Sequence, residues 1–289
     1  MKYAYFPGCS LTSTATEYNM STRAVSKSLD IELVEIPDWI CCGATPAHST
    51  SHLLSIALPV KSLVQAKEMG LEVVTCCAAC FSRLKVANNV MKSNEEDRDK
   101  VNQIVNADYE GEIKVRHLLD VLVNKYDLDG LKSKVKTELT DLKVASYYGC
   151  LLTRPPDIMD FDDPEEPKSM DNLMAAIGAQ PLEWPYKTEC CGASLAISRP
   201  DIVMKLTFDI LKMAKDAGAE CIAVACPLCQ SNLDLYQGDI ERKYDTEFNL
   251  PVFYFTQLVG LSLGIEPERL GIEKNTVDPW TLLETRRLV

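Results

Sequence analysis

Five cysteines occur twice in this chain in one order: a lone Cys, a Cys-Cys-Gly and a Cys-x-x-Cys. The first set is Cys9, Cys41–Cys42–Gly43 and Cys77–Ala78–Ala79–Cys80. The second is Cys150, Cys190–Cys191–Gly192 and Cys226–Pro227–Leu228–Cys229. Thirty-four residues separate Cys42 from Cys77, and thirty-four separate Cys191 from Cys226. Ten of the twelve cysteines fall into the pattern, so each set is expected to converge on one centre. Zinc takes four ligands in a closed tetrahedron, usually from two Cys-x-x-Cys pairs. A cubane iron–sulfur cluster also takes four. Five thiolates exceed both, and adjacent cysteines point apart, which suits two metal atoms better than one. A bridged or irregular iron–sulfur cluster in each half is the leading expectation. Zinc in one half and ordinary cubanes stay open. A disulfide scaffold is least favoured, because neighbouring cysteines pair poorly and no secretory signal opens the chain.

The elements that must position these sulfurs are also written twice. Lys2–Thr12 aligns with Lys143–Thr153, and Ala66–Glu72 aligns with Ala214–Glu220. An internal repeat of this kind predicts two similar domains, 1–140 and 141–289, related by an approximate two-fold axis. Each half alternates short apolar runs with helical patterns. The expected strands are Tyr3–Phe6, Glu32–Ile36, Val73–Thr75 and Ile113–His117, then Val144–Tyr148, Gln180–Trp184, Ile222–Ala225 and Val252–Phe255. Helices are expected over Thr16–Leu29, Leu53–Met69, Met170–Gly178 and Ile202–Ala217. The fold class is α/β: two pseudo-symmetric repeats, each a mostly parallel sheet flanked by helices. Every cysteine motif follows a strand, and strand C-termini line one edge of a parallel sheet, where α/β folds bind ligands. The segment Asp157–Lys168 reads as an inserted acidic loop exposed to water.

Composition narrows the partners. A net charge of −12 over 289 residues disfavours nucleic acid, whose phosphates would be repelled. The uncharged stretch Phe248–Ile265 is shorter than a membrane span needs and reads as a buried strand and helix. A cytoplasmic protein without membrane insertion is expected. There is no ferredoxin pattern and no glycine-rich dinucleotide fingerprint, so electrons must come from a partner.

On these motifs the chain resembles the CCG-domain proteins, and among them the B subunit of heterodisulfide reductase from methanogens. The likeness covers nearly the whole chain: both cysteine sets, the Gly-Cys openings and the tail Leu270–Asp278. It implies a noncubane [4Fe–4S] cluster in each half, one on Cys9, Cys41, Cys42, Cys77 and Cys80, the other on Cys150, Cys190, Cys191, Cys226 and Cys229. The two clusters would face each other across the pseudo-two-fold axis and flank the disulfide of coenzyme M and coenzyme B, each delivering one electron. The implied partners are the small cubane iron–sulfur C subunit and the flavin-containing A subunit of heterodisulfide reductase, with a hydrogenase as a further electron source. The alternative function is an iron–sulfur electron-transfer subunit of a 2-hydroxy acid dehydrogenase or a quinone-linked reductase.

Several residues around the motifs have more than one reading. Cys76 is an alternative to Cys77, although the repeat register favours Cys77. Cys221 falls inside a strand and reads as a core thiol. His52 suits a helix start, and His48 is a candidate to face the substrate cleft. That cleft would be lined by Gly43, Ala44, Gly192 and Ala193. Anionic ends of the substrate would require cations close to the cysteines; Arg83, Arg154, Lys187 and Arg199 are the candidates.

Overall fold

The computed structural model describes residues 1–44 and 46–289. Its strands are β1 (Lys2–Phe6), β2 (Glu32–Glu35), β3 (Val73–Thr75), β4 (Val115–His117), β5 (Lys143–Tyr147), β6 (Gln180–Pro181), β7 (Cys221–Val224) and β8 (Val252–Tyr254). They form two four-stranded sheets, ordered β2-β1-β3-β4 and β6-β5-β7-β8, and every pairing is parallel. The two repeats are thus α/β halves of one topology, as the duplicated sequence predicts. Parallel neighbours need crossovers, and the helices supply them. The principal ones are α1 (Thr16–Ser28), α2 (His52–Met69), α3 (Ala78–Ser93), α4 (Ser169–Ala176), α5 (Pro200–Asp216), α6 (Pro227–Asp234) and α7 (Phe255–Ser262). Helix α2 starts on Ser51, whose side chain accepts the Leu54 N–H at 3.3 Å.

Register makes the equivalence of the halves concrete. Phe6 lies opposite Thr75, and Tyr147 lies opposite Val224. Two residues beyond Thr75 and Val224 come Cys77 and Cys226, so these cysteines occupy matching places. Cys76 matches Ala225.

The halves interlock instead of merely touching. After β8 the chain crosses to the first half, where α7 packs on α1; Ser21 Oγ and Thr256 Oγ1 are 2.7 Å apart. After β4 the chain crosses the other way, and the turn Leu118–Asp120 with the π-helix Val121–Asp127 packs on α4. One continuous core of buried apolar residues runs through both halves. The stretch Phe248–Ile265 is β8 and α7, and among the described residues no helix is long and apolar enough to cross a membrane.

The acidic insertion is more than a solvated flap. Pro156–Met159 is a helical turn whose Met159 is fully buried, and Phe161 meets Phe81 of α3 edge-on at 6.5 Å. Most of its Asp and Glu side chains are exposed, while Met159 and Phe161 dock on the first half.

Phe255 is a fair probe of the interlock, being buried and packed edge-on against Tyr18 across the halves at 6.2 Å. Phe255→Ala should lower stability by about 3–5 kcal/mol. Because the core is shared, urea unfolding should stay a single transition by all probes. Separate melting of the two halves, with only the second one shifted, would count against a common core.

Candidate metal centre

Three loops bring the first five sulfurs together. Cys9 follows β1, Cys41 and Cys42 follow β2, and Cys77 and Cys80 open α3 after β3. The loops after β5, β6 and β7 do the same for Cys150, Cys190, Cys191, Cys226 and Cys229. The glycine of each Gly-Cys opening has a clear local reason. Gly8 has φ +71°, and a Cβ there would lie 2.8 Å from Cys80 Sγ; Gly149 has φ +66°, with Cys229 Sγ at 2.9 Å. Any side chain at either position would collide with a sulfur and strain the backbone.

The sulfurs run in linked pairs. Cys9 and Cys41 are 3.8 Å apart, Cys42 and Cys80 are 3.4 Å apart, and Cys191 and Cys229 are 3.8 Å apart. Hydrogen bonds with Cys41 and Cys80 hold the Cys42 thiol down to about 4. The bond to Cys42 in turn pushes both of those partners up. Cys150 holds Cys190 down to about 6. Backbone N–H groups also point inward, Gly43 at Cys41 Sγ (3.4 Å) and Gly192 at Cys190 Sγ (3.3 Å).

The two sets meet. The paired thiols act on each other: Cys226 raises Cys77, while Cys229 and Cys77 lower Cys226. Directly behind this junction sits His117, fully buried. Its Nδ1 accepts the Leu119 N–H at 3.2 Å, so Nε2 carries the proton. That N–H reaches the carbonyls of Cys76 (2.7 Å) and Ala225 (3.2 Å), the matching residues just before Cys77 and Cys226. One side chain thereby ties both cysteine loops. Cys76 itself turns away, toward Thr22 Oγ1 at 3.3 Å, and burial pushes its thiol up to about 12. Cys221 is buried within β7, as its strand position suggests.

The other candidates around the motifs are placed as follows. Lys187 is buried and bonded to Asp171 at 3.1 Å, which also accepts the Tyr148 hydroxyl at 2.7 Å. Arg154 pairs with Glu165 at 2.8 Å, and Arg199 pairs with Asp201 at 2.9 Å on an exposed helix start. Each of these charges is therefore matched within the chain. Arg83 is half-buried, and its charge helps to lower Cys42. His48 is exposed on the short helix Pro46–Thr50, and His52 opens α2 and pairs with Asp97 at 2.9 Å. Gly43 and Gly192 have φ of +70° and +80° and pack against the helices after them, at Leu58 and Val203. Ala44 and Ala193 are half-buried beside them.

A residue that sequence reading missed lies at the junction. Tyr18 is fully buried, and its hydroxyl has no hydrogen-bond partner among the described residues. It stands one helical turn before Thr22, whose hydroxyl is 3.3 Å from Cys76 Sγ, so it lies on the helix side that faces the cysteine loops. An orphaned buried hydroxyl beside a row of thiols fits a group that is bound there. So does the donor set: all twelve cysteines are unbridged, and thiolates this crowded need cations among them. Among the described residues no three His, Cys, Asp or Glu side chains are arranged to hold a single ion. Paired sulfurs spread over three loops suit a multi-atom cluster better than lone zinc.

Comparison with known proteins agrees with this geometry. The family model described as cysteine-rich domain, CCG, matches residues 3–85 and 144–234, one match per half. The chain belongs to the CCG family. It is 35% identical over 280 residues to the 8-methylmenaquinol:fumarate reductase membrane anchor subunit of Wolinella succinogenes, covering 96% of this chain and 97% of that protein. It is 31% identical over 282 residues to the B subunit of the ferredoxin/F(420)H(2)-dependent CoB-CoM heterodisulfide reductase of Methanosarcina acetivorans, covering 96% and 94%. The likeness to that subunit expected from the motifs therefore holds. A crystal structure of a hypothetical protein from Helicobacter pylori shares the fold, with TM-score 0.77 and 13% identity over 96% of this chain. This CCG chain spans about half of that one, 52% of its length.

Two measurements follow. Cys77→Ser and Cys226→Ser should each lose or distort one iron site, whereas Cys76→Ser and Cys221→Ser should keep full iron content. If Cys76→Ser empties a site and Cys77→Ser does not, the register is wrong. Burial lowers the His117 imidazole from 6.5 to about 4, so folding favours its neutral form. An unfolded chain takes that proton first, so stability falls as pH drops from about 6.5 to about 4 and is unaffected by His117 above that window. The stability gap between wild type and His117→Gln should narrow from pH 7 to pH 4.5 in urea unfolding. A gap constant over that range would refute a buried neutral imidazole.

Proposed function

We propose that this chain is the catalytic subunit of an oxidoreductase complex that reduces the heterodisulfide of coenzyme M and coenzyme B to two thiols. In this reading two noncubane [4Fe–4S] clusters are its cofactors. Cys9, Cys41, Cys42, Cys77 and Cys80 hold one, and Cys150, Cys190, Cys191, Cys226 and Cys229 hold the other. Bound iron–sulfur clusters would each supply one electron, so that two of them at a shared site meet the two-electron demand of cleaving the bond.

The observation that carries the reading is the junction of the two cysteine loops at His117, whose Nε2 lies 2.7 Å and 3.2 Å from the carbonyls just before Cys77 and Cys226. Two centres on opposite outer faces would form a wire; two centres that meet can act on one bond. His117 keeps the two loops in fixed relation by binding both carbonyls, and a fixed pair of sites supplies proximity without a mobile nucleophile. Relatives named as subunits of heterodisulfide reductase support membership of a complex; in the proposed reading its electron donors are a small cubane C subunit and a flavin-containing A subunit.

A second reading is quinone-linked reduction, and a specific observation favours it. The substrate of heterodisulfide reductase bears several anionic groups, yet Lys187, Arg154 and Arg199 are each matched by an internal carboxylate. A relative of 35% identity is named for a menaquinol:fumarate reductase.

Anaerobically purified or reconstituted protein should contain about eight irons per chain, four for each cluster. It should oxidise reduced viologen when the heterodisulfide is added, and Cys226→Ser should abolish that activity. Turnover with a menaquinone analogue and none with the heterodisulfide would replace the first reading by the second. One zinc with one cluster per chain would defeat both in their symmetric form.

A further inference from the structure

Both readings share a demand that the cysteines do not meet: protons. Splitting a disulfide breaks one S–S bond, takes two electrons and two protons, and forms two S–H bonds. Reducing a quinone likewise takes two electrons and two protons. The junction of Cys77 and Cys226 is buried, so its protons have to be conducted.

One face of the junction is built for this. Tyr254 ends β8, is fully buried, and stacks on Tyr18 with centroids 3.9 Å apart and planes 10° apart. Tyr18 stands one helical turn before Thr22, whose hydroxyl is 3.3 Å from Cys76 Sγ, and Phe255, next after Tyr254, packs on His117 at 6.1 Å. Two stacked phenols, one from each half, thus lie beside the place where the cysteine loops meet. The Tyr254 hydroxyl donates to Gln230 Oε1 at 3.5 Å, and Glu17, which lines the same cavity as Gln230, is near enough for its charge to act on that phenol. Gln230 Nε2 donates to Asp234 Oδ2 at 2.9 Å. Asp234 is locked in place by the N–H groups of Thr276 (2.7 Å) and Val277 (3.0 Å).

This network does not end in the core. Glu17, Gln230 and Asp234 line a cavity of about 270 Å³ on the surface, together with Thr16 and Lys274. Glu17 is only 6% exposed, so it stands between that water and Tyr254. Nothing in the cluster ligation uses these groups.

We propose that Glu17 and Tyr254 form the proton relay of the reaction: Glu17 takes a proton from the cavity, Tyr254 passes it inward, and it ends on the reduced sulfur or oxygen of the substrate at the junction. Glu17 is then re-protonated from water, once for each proton consumed. Gln230 and Asp234 are positioning residues that orient the Tyr254 hydroxyl, and Tyr18 stacks on the relay ring. Electrons come separately, from the one-electron reductant of the complex. Burial raises the Glu17 carboxyl above its ordinary value. The charged and titratable groups facing it are Lys274 from the C-terminal segment, Asp234 from α6 and Tyr254 from β8.

The relay rests on a reductase function but holds for either substrate, so it is testable apart from the choice between them. Glu17→Gln and Tyr254→Phe, in iron-loaded protein, should each slow kcat on the order of 100-fold. KM and iron content should stay unchanged, and the solvent deuterium isotope effect should rise. Glu17→Asp should recover part of the rate, and Tyr236→Phe, outside the route, should behave as wild type. A second readout needs no substrate. The reduced-minus-oxidised infrared spectrum should show a carboxyl band that vanishes in Glu17→Gln. If neither substrate is turned over, the proposed function fails while this band still decides the relay. Wild-type kcat and isotope effect in both variants, loss of activity only together with iron, or a difference spectrum that Glu17→Gln leaves intact would each overturn the relay.

Discussion

Crowding of like charge is the constraint on which this molecule is organised. Ten thiols stand at two sheet edges, in pairs less than 4 Å apart where they are closest. Without bound cations they share protons, so Cys42 and Cys190 ionise readily only because Cys41, Cys80 and Cys150 stay protonated. Full ionisation would set several charges together in a low-dielectric interior, a cost that only metal can remove. Folding and metal binding are coupled for that reason: the loops must be held close before the cluster forms, yet they repel until it does.

The scaffold supplies the holding force in two ways. Parallel pairing with matching register puts Cys77 and Cys226 at equivalent strand ends, so the repeat alone delivers symmetric sites. The exchange of helices after β4 and β8 then joins the halves through one core. A simple two-domain chain could hinge between its sites. Here the residues that cross over, such as Phe255 against Tyr18, lie beside the junction, so opening it would expose the core. His117 adds a directional tie, since a single N–H serves the carbonyls before both cysteines.

Much of this is readable from residue order. The cysteine spacing and the Lys2–Thr12 repeat indicate two equivalent α/β halves, and the register places Cys77, not Cys76, opposite Cys226. Local signals such as glycine stops and apolar runs locate the strands to within a few residues. Less accessible is whatever depends on which half packs on which. The helix exchange leaves no periodic mark, so Tyr18 and Tyr254 look like core aromatics in separate domains. Cations near a motif in sequence are also weak guides. Lys187 and Arg154 sit within a few residues of Cys190 and Cys150, yet folding brings Asp171 and Glu165 to them first. The acidic loop hides its anchoring because Met159 and Phe161 are two apolar positions within a charged run.

The distribution of charge bears on how a substrate is selected. Around the junction the side chains are Tyr18, Tyr254, Phe81, Phe255 and a neutral His117, which provide aromatic walls and two hydroxyls. Such a site favours a compact reacting bond stripped of water, where hydrogen bonds from a phenol act strongly. It offers little to carboxylate or phosphate groups, whose burial would cost more than it returns. Any anionic part of a substrate must therefore stay outside the aromatic walls, against surface loops or a partner protein, while the bond to be reduced enters. Under the proposed function, specificity and chemistry would then lie in different places: the chemistry in the symmetric core, and the specificity in the insertions and tails by which the two halves differ.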